Sequence, residues 1–162
     1  MGRSSSVERK AEGLFAAWRA DWNTFIRDAF GVTLDSEQQA IVTAVQHNRM
    51  VSVRSGTARG KDFVSACIAM CFLYLTPRWN AKGEMVENTK VALTAPTDRQ
   101  VKNIMLPEIS RLFNRARKRG YDLPGRLSAY DIRTDNEEWF LTGFKADEHN
   151  HEAWSGFHAV NT

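Results

Sequence analysis

Only two of the 162 residues are cysteine and four are proline, and no stretch is uniformly apolar over a bilayer's width. Two cysteines are too few for the disulfide framework of a small secreted domain. Cys67 and Cys71 stand four apart, on one face of a helix, and read as reduced core residues; a zinc site would need two further ligands at suitable spacing. Lacking any run near the ~20 apolar residues of a span, the sequence offers no candidate transmembrane helix. Its polar start, Gly2-Arg3-Ser4-Ser5-Ser6, lacks the apolar stretch of a signal peptide, so the expected location is intracellular. Internal repeats and low-complexity segments are lacking too. What is there is globular material, 43% hydrophobic and 25% charged, long enough for one domain with a core. The net charge of +3 permits a nucleic-acid partner without demanding one.

The chemistry concentrates in residues 50–62, Met50-Val51-Ser52-Val53-Arg54-Ser55-Gly56-Thr57-Ala58-Arg59-Gly60-Lys61-Asp62. An apolar strand runs into a glycine-bearing loop that ends in Gly-Lys and opens a helix expected over 61–75. Such a loop cradles phosphates, because glycines let successive backbone N–H groups turn inward while the lysine adds positive charge at the β and γ phosphates. The helix N-terminus presents its partial positive charge to the same anion. The loop departs from G-x-x-x-x-G-K-[ST] at both ends. Ser55 holds the first glycine's place with Gly56 one later, and Asp62 replaces the hydroxyl residue that sits on Mg²⁺, although a carboxylate is itself a hard-cation ligand. The alternative is a plain glycine-rich turn with an exposed lysine.

Residues 90–97, Lys90-Val91-Ala92-Leu93-Thr94-Ala95-Pro96-Thr97, read as a second apolar strand, making 50–97 a βαβ unit with buried parallel strands. Upstream, Leu34-Asp35-Ser36-Glu37-Gln38-Gln39-Ala40-Ile41 is a capped helix start, with Asp35 or Ser36 as N-cap, continuing to about His47. The Gln38 amide offers a donor and an acceptor together, as an adenine edge requires.

The segment around Gln38, the loop over 52–62, the strand end Leu93-Thr94-Ala95-Pro96-Thr97-Asp98-Arg99-Gln100-Val101, and Gly156-Phe157-His158-Ala159 together carry a resemblance. Over most of its length the chain resembles the N-terminal ATPase domain of the large terminase subunit of tailed bacteriophages, a DNA-packaging motor. The resemblance implies an α/β fold, a P-loop NTPase-like parallel sheet of the helicase and terminase type flanked by helices, with a helical arm over 1–32 and a partial ATPase domain over 33–162. It implies ATP and Mg²⁺ as cofactors, bound by Gln38, Ser55, Gly56, Thr57, Ala58, Arg59, Gly60, Lys61 and Asp62. Within that set it assigns catalysis to Lys61, Asp62 and Arg59 and the metal to Asp62; outside it, Thr97 and Arg99 at the sheet edge are assigned to sensing nucleotide or DNA. Implied partners are double-stranded DNA, a portal protein, a small terminase subunit and further copies of the chain, in the cytoplasm of an infected bacterial host, with no membrane. The place of the family's cis-acting arginine is held by Thr57, leaving Arg59 or Arg54 for that role. In the family a strand ending in Asp-Glu follows the Gly-Phe-His segment. No such strand occurs before Thr162, so the 162-residue chain is expected to hydrolyse ATP near background and to leave a sheet edge unpaired. Two other readings stand beside this one: a different helicase-like P-loop ATPase, and a non-catalytic module that binds nucleotide or a partner.

Elsewhere, Leu14, Phe15, Trp18, Trp22, Phe25, Ile26 and Ala29 predict one amphipathic helix over 7–30, ended by Gly31, which either lies across the core or forms an arm that docks on a partner. Residues 76–89 read as a surface loop. A long helix follows residue 98, kinked at Pro107, and its end carries Arg111, Arg115, Arg117, Lys118 and Arg119. That run is either a solvated face or, through Arg115, Lys118 and Arg119, a contact to DNA backbone. Residues 130–133 and 139–144 read as a hairpin or an inserted edge pair. His149, His151 and His158 with Glu148 and Glu152 fit no helical metal-ligand spacing, and Trp154 and Phe157 read as anchors of that loop.

Overall fold

The helical arm breaks where one side chain competes with the backbone. The computed structural model describes residues 2–54, 58–145, 159 and 161, and in it the single helix expected over 7–30 is two, α1 (Gly2–Ala20) and α2 (Trp22–Phe30). Between them Asp21 is extended, with φ −144°, and its carboxylate accepts the Asn23 N–H, which caps a new helix. Gln46 satisfies the groups that the break releases. Its Oε1 accepts from the Trp22 N–H at 3.1 Å, and its Nε2 donates to the Arg19 and Ala20 carbonyls at 3.1 and 3.0 Å. Gly31 ends α2 in the left-handed region, φ 62°.

Gln46 belongs to α3 (Ser36–His47), which opens with a capping box: Asp35 accepts the Gln38 N–H, and the Gln38 side chain accepts the Asp35 N–H. Next comes α4 (Ala58–Leu75), which packs on α2 and α3 and buries Val64, Cys67, Met70, Cys71 and Leu73. Where a plain loop was expected over 76–89, β1 (Arg78–Trp79) and β2 (Met85–Glu87) form a small antiparallel ribbon. Asn80 nucleates its turn, since Oδ1 accepts the Lys82 and Glu84 N–H groups and Gly83 takes φ 79°.

The main sheet contains β3 (Lys90–Ala95), β4 (Arg126–Leu127), β5 (Asp131–Arg133) and β6 (Phe140–Lys145) in the order β3-β6-β5-β4. β3 and β6 are parallel, with Lys90 opposite Phe140 and Ala95 opposite Lys145, whereas β5 pairs antiparallel with both β6 and β4. The expected hairpin is present. The sheet, however, is mixed rather than wholly parallel, because β6 leaves the hairpin to become the inner neighbour of β3. The strand expected at 50–53 pairs with nothing among the described residues, and Met50 is 91% exposed. A strand exists only through its ladder. Here an apolar cavity lined by Val51, Val53, Val91 and Leu93 separates that segment from β3.

After β3, Thr97 caps α5 (Asp98–Gln100), which runs through a π-turn (Val101–Met105) into α6 (Leu106–Lys118). The disturbance expected at Pro107 takes this form because proline has no N–H to return to the preceding turn. The Leu106 N–H instead reaches the Val101 carbonyl, five residues back. The wide turn sits directly on the sheet. A β-carbon at Gly143 of β6 would lie 2.8 Å from Val101 Cγ1 and 3.3 Å from Leu106 Cδ1. Gly143→Ala is therefore expected to lose about 1–3 kcal/mol in urea unfolding, as overpacking does. Adding Val101→Ala should recover part of that loss; strictly additive losses would mean that the two residues do not meet.

One apolar cluster runs from Trp18 and Phe25 of the arm through α4 and α6 to Ile132 and Leu141 of the sheet. The arm is thus packed on the α/β core.

Candidate nucleotide site

Of the loop residues, Ser55, Gly56 and Thr57 lie outside the described residues, as do the side chains of Ala58 and Arg59. So do Gly156, Phe157 and His158, together with Glu148, His149, His151, Glu152 and Trp154. The described part is the start of α4. That helix begins at Ala58 rather than 61, which puts Gly60 and Lys61 in its first turn, where no acidic residue stands. The first N–H groups of a helix have no intrahelical acceptor, and together with Lys61 they suit an anion.

Gln38 comes to this turn from α3. A β-carbon on Gly60 would lie 3.5 Å from Gln38 Nε2, while Gln38 Oε1 is held at 3.0 Å by the Asp35 N–H. The residue assigned to the adenine is therefore also the N3 residue of a capping box, with its amide nitrogen turned toward the loop. The signal for this lay in the spacing of Asp35 and Gln38, three apart at a helix start. One lone pair of the Gln38 oxygen goes to the cap, so its base-recognising capacity rests chiefly on the donor.

Lys61 is half-buried, and it borders the apolar cavity, about 470 Å³, with Val64 and Ile68 of α4 and Ile41 and Val45 of α3. Asp62, half-buried too, is the one acidic residue in α4. No cluster of three or more His, Cys, Asp or Glu side chains occurs among the described residues. A single carboxylate still fits Mg²⁺, which is commonly bound through one or two carboxylates plus phosphate oxygens and water. Thr97 and Arg99 form an exposed rim with Gln100 and Asn103 just past the C-terminal end of β3, the end at which open α/β sheets take ligands. Thr97 is engaged as a cap there, its Oγ1 accepting the Gln100 N–H at 3.2 Å.

The three basic residues assigned to DNA divide. Arg115 and Lys118 are exposed on the last turns of α6. Arg119 turns back to the arm, where its Nε donates to the Asp28 carbonyl at 3.1 Å and its guanidinium lies against Gly31. Arg117 donates to the Gly125 carbonyl and covers the Phe113 ring at 4.4 Å. Among the described residues, no helix is long and apolar enough to cross a membrane.

Comparison with protein-family models, with characterised proteins and with solved structures found no match to this chain. The class that fold and site define is a mixed α/β protein with a lysine-bearing helix start beside a glutamine.

Proposed function

We propose that the chain is the nucleotide-binding part of a P-loop motor ATPase of the large-terminase type, binding ATP and Mg²⁺ to drive double-stranded DNA into a capsid. One observation carries the reading: the Gln38 amide stands beside Gly60, next to Lys61, at the start of α4, so two motifs far apart in sequence meet at a helix N-terminus. The order α3, α4, β3, with a ligand-accessible rim after β3, supports the finer P-loop NTPase-like fold. Bound ATP supplies the transferable phosphoryl group, and Mg²⁺ spreads its charge. The chain positions them. Lys61 neutralises the β and γ phosphates, the N–H groups from Gly56 to Gly60 wrap them, Asp62 holds the metal, and Gln38 donates to the base. Arg59 takes the catalytic arginine role. Arg115 and Lys118 offer phosphate contacts to duplex irrespective of sequence. A portal protein, a small terminase subunit and further copies of the chain complete the proposed assembly, in the cytoplasm of an infected bacterium.

Lys61→Met tests the reading, because it removes the charge while keeping the apolar stem in the cavity. Titration calorimetry with MgATP is expected to show affinity falling about tenfold or more, the worth of a charge-assisted hydrogen bond, with thermal stability nearly unchanged. Equal affinity in both proteins would remove Lys61 from the site.

A further inference from the structure

We propose that the π-turn and Tyr130 form a face that takes unpaired nucleotides of a nucleic acid strand, with a base stacked on the Tyr130 ring and Arg99 and Lys102 at the flanking phosphates. Neither Lys102 nor Tyr130 belongs to the motifs of the phosphate loop or the strand end. The two meet through the fold. Lys102, the second residue of the π-turn, carries its ammonium to 4.9 Å from the centre of the Tyr130 ring. Tyr130 is held there from the sheet side, because its carbonyl accepts the Gly143 N–H at 2.9 Å, and Gly143 is the residue of β6 on which Val101 of the same turn rests. Turn and ring thus share one foothold on β6. The following residues of the turn, Asn103 and Ile104, line an open groove of about 610 Å³ with Thr97, Arg99 and Gln100. Lys102 therefore spans from the wall of that groove to the ring.

The chemistry of this face selects a strand with exposed bases. Tyr130 is 45% exposed and Ile104 40%, two of the large apolar side chains that the fold leaves in solvent. A ring in that position, with a groove beside it, offers a stacking platform, and stacking is indifferent to sequence because every base has a π-face. Arg99 and Lys102 are exposed as well, and among the described residues neither enters an ion pair. Cations without a carboxylate, set beside an aromatic ring, suit phosphates that bracket a stacked base. Gln100 Oε1 accepts from the Thr97 hydroxyl at 3.2 Å, which leaves its amide nitrogen, together with the Asn103 amide, to meet base edges. A duplex fits this face poorly, since its bases are stacked on one another and turn only backbone toward an exposed ring. The inference therefore goes beyond the duplex contact proposed for Arg115 and Lys118, and it does not depend on the phosphate loop.

The test is fluorescence anisotropy without ATP, using a labelled single-stranded oligothymidylate of about twelve nucleotides and a duplex of the same length. Tyr130→Ala is expected to weaken single-strand binding about tenfold and to leave duplex binding within about twofold, whereas Tyr130→Phe, which keeps the ring, is expected to hold nearly parental affinity for both. Lys102→Met should flatten the salt dependence of single-strand binding by about one unit of slope. Thermal melts that match the parent's show that a loss is not unfolding. Equal losses for single strand and duplex in Tyr130→Ala would overturn the inference, by showing a backbone contact in place of a stacked base. So would a parent without measurable single-strand binding, parental affinity in Tyr130→Ala, or a phenylalanine variant as weak as the alanine one. Because no nucleotide is present, the result is independent of the calorimetry on Lys61→Met, and either reading can fail alone.

Discussion

Trp139→Ala is expected to destabilise the fold by about 3–5 kcal/mol, a large part of the 5–15 kcal/mol that holds a typical domain together. Three elements meet at this indole. It is 7% exposed, its Nε1 donates to the Leu73 carbonyl at 2.8 Å in the last turn of α4, and its ring stands edge-on to Tyr74 at 6.1 Å and Trp79 at 5.2 Å. Truncation empties that volume and leaves a helix-terminal carbonyl without its donor. Trp139→Phe separates the two losses, because the ring volume is largely kept while the N–H is gone; about 1–3 kcal/mol is expected for it. Denaturant unfolding followed by circular dichroism measures both. An alanine variant within 1 kcal/mol of the parent would mean that ribbon, helix and sheet are not joined here.

Raising the pH above about 9 is expected to unfold the chain through its buried thiols. Burial, reinforced by the Glu108 carboxylate, pushes the Cys67 thiol from 9.0 up to about 12, and burial followed by the neighbouring Cys67 raises Cys71 well above its ordinary value. The sign follows from which state can ionise. Unfolded thiols lose their proton near 9, folded ones far later, so the stability of the neutral buried form is complete below pH 9 and declines as the pH climbs toward 12. For Cys67, a pKa gap of about 3 at 1.36 kcal/mol each amounts to about 4 kcal/mol by pH 12. The double replacement Cys67→Ala with Cys71→Ala should move the alkaline unfolding midpoint upward. Tyr74, which burial also raises and whose hydroxyl donates to the Pro124 carbonyl at 2.8 Å, keeps some alkaline sensitivity in that variant. A midpoint unmoved by the double replacement would show that the thiols are not ionising on unfolding.

Elements governed by local rules were legible in the sequence. Asp35 announces α3, Gly31 closes α2, and the apolar run with Pro96 and Thr97 behind it marks β3. The break at Asp21 was invisible to periodicity because Trp18, Trp22, Phe25 and Ile26 keep one buried face across it, and the group that stabilises it, Gln46, comes from another helix. An apolar run at 50–53 signals affinity for a sheet, not the presence of a neighbour, and pairing is a long-range property. The motifs singled out Lys61 and Gln38, and the structure sets Gln38 beside Gly60, but motif logic says nothing of a side chain's second duty. Gln38 caps its own helix, and Arg119 holds the arm. The basic run looked uniform in sequence. Helix phase and the turn after Lys118 aim its members in different directions.

The π-turn inserts one residue more than an α-helix between the α5 cap and α6. Deleting a single residue within 101–105 would let ordinary helix form there, and because a π-turn is a helical turn with one surplus residue, α5 and α6 would keep nearly the same phase. What would go is the width of the turn. Val101, its first residue, is the one that lies against Gly143, so the close approach of helix and sheet would have to be remade. That contact thus depends on a surplus residue, and it would be lost by a change that improves the helix itself.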